Sequence, residues 1–256
     1  MRRSLPVAVA LAVICTPAAF AADMPVKAAP MVAPVAAYNW TGFYLGGQVG
    51  GGWASNTTTT IDASGAFLAG TVQNAIKPSG VLGGVYGGYN YQFNQLFLAG
   101  VDADFSWASL TGGDATDIGN TGAAGGRTAV LSAKVKSIGT VTGRLGYIYN
   151  NNWLFFGKGG WAWSSWSGAS TVTNTTTGAL TSTGNNSTTR NGWTVGTGAE
   201  WAFAAHWSAK LEYDYVKLNS VTYNATDTTP AGVVTTPLRS ATSNINIVKV
   251  GAAYRF

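Results

Sequence analysis

The sequence predicts an all-β fold: an eight-stranded antiparallel up-and-down transmembrane β-barrel with four long outer loops and short periplasmic turns. Three observations carry this. Charged residues make up 10% of the chain, against about 25% in an ordinary soluble domain. Beyond the first residues, no apolar run reaches the about 18 residues that a membrane helix needs. Eight segments alternate apolar and polar side chains, and the links between them alternate short and long. A membrane chain without apolar runs has to satisfy its backbone hydrogen bonds in a closed sheet.

Residues 1–21 have the three parts of a secretory signal peptide. Arg2 and Arg3 give a basic start, an apolar core follows, and Ala19-Phe20-Ala21 is an A-x-A cleavage site. The single cysteine, Cys15, leaves with it, so the mature chain has neither disulfides nor thiolate chemistry. Residues 22–38, with Pro25, Pro30 and Pro34, form an extended periplasmic tether. The barrel is assigned to residues 39–256.

Successive side chains of a strand point to opposite faces, so alternation gives each segment an outer and an inner side. Residues 40–53 put Phe43, Leu45, Val49 and Trp53 opposite Tyr44, Gly46 and Gln48. Residues 81–93 oppose Val81, Val85, Tyr89, Tyr91 and Phe93 to Tyr86, Asn90 and Gln92. Residues 97–107 set Val101, Phe105 and Trp107 against Asp102, Asp104 and Ser106. Residues 135–148 set Val141, Leu145 and Tyr147 against Lys136, Thr142 and Arg144, with Ile138 breaking the pattern. Residues 153–164 line up Trp153, Phe155, Trp161 and Trp163 opposite Lys158, and leave Leu154 and Phe156 on the wrong side. Residues 193–203 oppose Val195, Trp201 and Phe203 to Thr194 and Glu200. Residues 207–218 set Leu211, Tyr213 and Tyr215 against Lys210, Glu212 and Asp214. Residues 245–256 put Val248, Val250, Tyr254 and Phe256 opposite Lys249 and Arg255.

Short links at 94–95, 149–152 and 204–206 are interleaved with long Thr/Asn/Gly-rich ones at 54–80, 109–134, 165–191 and 219–244. Bacterial membrane barrels pair short periplasmic turns with long outer loops, and an even strand count leaves both chain ends in the periplasm. A soluble lipocalin is also an eight-stranded barrel, but its apolar face points inward. Here the apolar-aromatic face carries almost no charge, which is the membrane arrangement.

Three stretches match a known family. Trp40-Thr41-Gly42-Phe43-Tyr44 follows the Pro-rich tether, Gly192-Trp193-Thr194-Val195-Gly196 opens the sixth strand, and the chain ends Val250-Gly251-Ala252-Ala253-Tyr254-Arg255-Phe256. With Ala22-Asp23-Met24-Pro25-Val26-Lys27, the sequence resembles the small porin-like outer-membrane proteins of rhizobia and Brucella. The resemblance implies loops that vary, and covalent attachment to peptidoglycan through Ala22 and Asp23. The pattern set by Lys249, Gly251, Tyr254 and Phe256 looks like the signal read by the barrel-assembly machinery.

The inner-face charges are the most chemical feature: Asp102, Asp104, Glu200, Glu212 and Asp214 against Lys136, Arg144, Lys158, Lys210, Lys249 and Arg255. An eight-stranded barrel is only wide enough for its side chains to fill, so near-balance predicts a salt-bridged plug rather than a catalytic pair of carboxylates. His206, the one histidine, falls in a periplasmic turn, so no Ser-His or His-carboxylate constellation forms at the outer mouth. No catalysis, cofactor or metal is expected. The Gly pairs, such as Gly87-Gly88, lack the lysine of a phosphate loop and mark close packing in strands. The expected partners are outer-membrane lipids and lipopolysaccharide, the barrel-assembly machinery and peptidoglycan. Without Arg2 and Arg3 the chain has 13 basic and 10 acidic residues, too small a surplus for a nucleic-acid surface. The expected role is a structural and surface barrel contributing to envelope integrity, with a narrow porin-like channel for small solutes as the alternative.

Overall fold

The computed structural model describes residues 38–60, 72–120, 126–174, 177, 180–229, 232–240 and 243–256. The signal peptide, and the tether apart from Tyr38, lie outside the described residues, and with them Ala22 and Asp23. The elements are β1 (Gly42–Thr60), β2 (Val72–Ile76), β3 (Ser79–Gln92), β4 (Phe97–Asn120), β5 (Gly126–Tyr149), β6 (Trp153–Asn174), β7 (Leu180–Ala204), β8 (Trp207–Leu218), β9 (Val221–Thr229), β10 (Gly232–Ser240) and β11 (Ser243–Arg255).

Eight antiparallel strands close into a barrel. The ring runs β1-β3-β4-β5-β6-β7-β8-β11 and returns to β1, where Val49 lies opposite Val250. The other three elements continue members of this ring. β2 extends β3 past Pro78, whose missing N–H interrupts the ladder while its carbonyl accepts from Ala54 N at 2.7 Å. β9 and β10 form a hairpin that takes over from β8 and β11, pairing with β7 on one side and β1 on the other.

The long connections differ from expectation. Much of 109–134 and 165–191 is strand, since β4 runs to Asn120 and β7 begins at Leu180. Thr- and Val-rich stretches fit a pleated surface, and each hairpin ladder propagates outward from strands the membrane already holds in register. At the other end the links are tight. Asn150 and Asn151 have φ of 52° and 64°, left-handed positions that Asn tolerates, in the three-residue link between Tyr149 and Trp153.

Alternation places the apolar face outward, where the lipid lies. Leu145 is 69% exposed and its neighbour Arg144 is 3%. Two aromatic girdles bound this wall, as expected for a membrane barrel. At the turn end are Phe97, Tyr147, Trp153, Trp201 and Trp207, and at the hairpin end Trp53, Trp107, Trp161 and Trp193. Across β6 and β7 the Trp153 and Trp201 rings stack at 6.0 Å.

One inner-face assignment is corrected. Lys136 is exposed on the outer wall rather than in the lumen. The ladder shifts register between Val135 and Ser137 on the β6 side, and between Trp107 and Leu110 on the β4 side. A bulge of this kind adds a residue and reverses the parity of the residues beyond it. Ile138 lies on the turn side of the shift, keeps the inward parity of Thr140, Thr142 and Arg144, and is buried in the lumen with an apolar layer.

Candidate functional site

The lumen is filled in three layers. Nearest the turns, Trp40, Leu98, Ile148, Leu154, Phe156 and Ala202 form an apolar floor. Leu154 and Phe156, out of place on a lipid-facing reading, belong here. Nearest the hairpins, a larger apolar cluster includes Leu82, Leu110, Ile138, Trp166, Leu218 and Ile245. The charges lie between. Along β8 the inward residues read Ser208, Lys210, Glu212, Asp214, Val216 and Leu218, and along β6 Leu154, Phe156, Lys158, Ala162, Ser164 and Trp166. Each strand thus passes from one layer to the next.

Alternation on six strands brings the charges together. Glu212 on β8 lies opposite Lys249 on β11, and its carboxylate accepts from Lys158 at 2.8 Å, Lys249 at 2.9 Å and Lys210 at 3.1 Å. Lys249 also meets Asp214 at 2.6 Å and Asp104 at 2.9 Å. Lys158 on β6 reaches Asp214 on β8 at 3.3 Å by crossing β7 at Gly196, which is opposite both. A Cβ on Gly196 would collide with the Asp214 carboxylate, so glycine is required there by the ion pair. Lys158 also lies 3.5 Å from Asp104 and 3.8 Å from Asp102.

A second group lies toward the floor. Arg144 donates to Glu200 at 2.9 Å and to the Tyr44 hydroxyl at 3.1 Å, while that hydroxyl donates to Asp102 at 2.7 Å. Arg144 stacks over the Phe156 ring at 4.2 Å. Ser208 donates to Glu200 at 2.7 Å. Arg255 lies 3.4 Å from Glu200 and donates to the Trp40 carbonyl at 2.5 Å. Trp40 in turn donates its indole N–H to the Asn151 carbonyl at 3.1 Å. Tyr38, assigned to the end of the tether, packs edge-on against Trp40 at 4.7 Å.

All nine residues assigned to the lumen network, Asp102, Asp104, Arg144, Lys158, Glu200, Lys210, Glu212, Asp214 and Lys249, are buried, and Arg255 joins them. Five carboxylates thus face five cations in this network, while a sixth buried cation, Arg190, lies apart from it at the hairpin end, donating to Asn56 at 3.0 Å and Ser243 at 2.6 Å. Asp104, Glu212 and Asp214 have carboxylate oxygens within 4.8 Å of one another, but the Lys249 ammonium is bonded to all three and takes the place a cation would need. The sequence reading missed the aromatic partners. Tyr86 lies beneath the Lys210 ammonium, 3.5 Å from ring centre to Nζ, and its inward position beside Gly87-Gly88 was the available signal.

The family model for the outer membrane protein β-barrel domain matches residues 7–256. The chain belongs to this family. Its relatives include the 31 kDa outer-membrane immunogenic proteins of Brucella melitensis and Brucella suis. Each is 29% identical over 251 residues, covering 96% of this chain and 97% of the relative. Among solved structures, the outer-membrane protease OmpT of Escherichia coli is 10% identical, covering 86% of this chain and 98% of its own, with a TM-score of 0.48. OprG of Pseudomonas aeruginosa is 14% identical with the same coverages and a TM-score of 0.43. Family and fold support the outer membrane as the location of this barrel.

The remaining sequence-assigned residues are dispersed. Tyr254 on β11 and Phe256 just after it lie outside the lumen and contact edge-on at 5.2 Å. Lys249 faces in, and Gly251 sits where the Tyr86 ring passes. His206 hydrogen-bonds through Nδ1 to the Arg255 carbonyl at 2.9 Å and stacks on Tyr254 at 5.4 Å. Those contacts fasten the β7–β8 turn to the last strand.

Proposed function

We propose that this outer-membrane barrel is a closed structural and surface-presenting protein of the cell envelope, neither an enzyme nor a solute channel. The observation that carries this reading is the three-layer filling of the lumen, with the charges paired between two apolar layers. A channel needs a continuous wet path, and two dry layers across an eight-stranded lumen oppose one. In this reading the short turns and both chain ends face the periplasm and the strand hairpins stand outside the cell. The hairpins supply the contact surface and the barrel its anchor. Attachment to peptidoglycan through Ala22 and Asp23 belongs to the same reading.

Single-channel recording on refolded protein in a planar bilayer tests it. The expected trace has no stepwise conductance at either polarity. A steady ohmic pore in the wild-type protein would overturn the proposal in favour of a narrow channel.

A further inference from the structure

Among the described side chains, all five carboxylates face the lumen. The charged side chains described on the outer wall are lysines: Lys77, Lys134, Lys136 and Lys217. All four sit at the hairpin end. Lys217 lies opposite Trp193, Lys77 is two residues before Ser79, which pairs with Trp53, and Lys134 and Lys136 lie beyond Trp107. The described outer wall at the turn end has no charged side chain. Among the described side chains the polarity of the wall is therefore one-sided: neutral at one rim, cationic at the other.

Two of these lysines share a concavity. A hollow of about 980 Å³ spans β4 to β7 on the outer wall, lined by Thr111, Ser132, Lys134, Lys136, Asn185 and Ser187 among others. Its height is set by the register. Tyr147 marks the lower girdle on β5, and Ser137 pairs with Trp107 of the upper one. Ten residues at about 3.4 Å each, tilted by about 40°, rise roughly 26 Å, against an apolar band of about 25 Å. Lys136 and Lys134 come next, where headgroups replace acyl chains. The register shift around Lys136 is what turns this lysine from the lumen to the hollow.

We propose that this hollow binds the phosphorylated headgroup of an outer-leaflet glycolipid, with Lys134 and Lys136 on its phosphate and the Ser, Thr and Asn side chains on its sugar hydroxyls. A glycolipid fits better than a simple phospholipid because the polar lining crosses four strands, about 15 Å at 4.8 Å spacing, wider than one phosphodiester. Trp107 and Trp161 below the hollow face the acyl chains. The source of the lipid rests on the reading that the hairpin end faces outside; the chemistry of the site does not.

The test uses the full chain refolded in phosphatidylcholine nanodiscs doped with lipid A or with phosphatidylglycerol, with bound lipid measured by native mass spectrometry. Wild-type protein retains lipid A in preference to phosphatidylglycerol. The double variant Lys134→Ala, Lys136→Ala binds lipid A about 30-fold more weakly, the effect of two lysines at a charged membrane surface. Lys134→Arg with Lys136→Arg retains it, as does Lys77→Ala with Lys217→Ala. A gel mobility that changes on boiling confirms that each variant is folded. Equal retention by the alanine variant, or no preference over phosphatidylglycerol, overturns the proposal. An epitope tag at residue 177 that antibody cannot reach on intact cells overturns the outward orientation, and with it the lipid source, while leaving the in vitro binding result to stand.

Discussion

Replacing Glu212 by Ala tests whether the lumen charges act as one network. Glu212 holds three ammoniums, and the loss is uneven among them. Lys158 and Lys249 keep Asp104 and Asp214. Lys210 has Glu212 as its one carboxylate among the described residues, and is left with the Tyr86 ring. The balance changes from five acids and five bases to four against five, with one cation surplus in a space closed by two apolar layers. Breaking a buried pair from one side typically costs about 3–5 kcal/mol, because the remaining charge is desolvated without compensation. The barrel therefore loses about that much stability in urea titrations followed by the folded, fast-migrating gel band. Adding Lys210→Met restores the balance, and the double variant recovers much of the loss. The resulting coupling energy isolates the pair. Wild-type unfolding of Glu212→Ala, or zero coupling with Lys210→Met, would refute the network.

Four further outcomes are expected. The folded protein migrates differently on gels before and after boiling, and identical mobility would count against a closed ladder. Trp40→Ala removes the largest side chain of the floor together with its bond to Asn151; it costs about 3–5 kcal/mol in urea titrations and admits a small leak detectable in planar bilayers. Gly196→Ala forces the Asp214 carboxylate away from Lys158 and destabilises the barrel, whereas Gly143→Ala, whose Cβ meets nothing within 4 Å, is tolerated; equal midpoints for the two would contradict the close approach at Gly196. Phe256→Ala lowers the amount of barrel in the outer membrane more than a change at Thr177 does, as fractionation and blotting would show.

Much of the site was legible because strand parity is a local property. In the sequence Lys210-Leu211-Glu212-Tyr213-Asp214, alternation alone puts three charges on one face and two apolar side chains on the other, and the structure places them so. Lys136 was not legible in this way. Its parity depends on a register shift against β4 and β6, and a bulge is decided by how neighbouring ladders fit rather than by the five residues around it. Leu154 and Phe156 looked misplaced because the inner face was taken as uniformly polar. The floor they form with Trp40 and Leu98 requires four strands and the residues before β1 to meet at one level.

The amino-acid sequence by itself determined that the chain forms strands, how many cross the membrane, which face meets lipid, and that the opposite face carries balanced charge. These properties come from side-chain period, link length and composition, none of which requires knowing which strands pair. The tertiary structure alone decided who pairs with whom. Asp104 and Lys249 are 145 residues apart and meet because the ring closes β1 on β11. Lys158 reaches Asp214 because the intervening strand presents a glycine at that height. Tertiary closure also stacked the inward residues into apolar, charged and apolar layers, since height in a barrel is set by register and tilt around the whole ring.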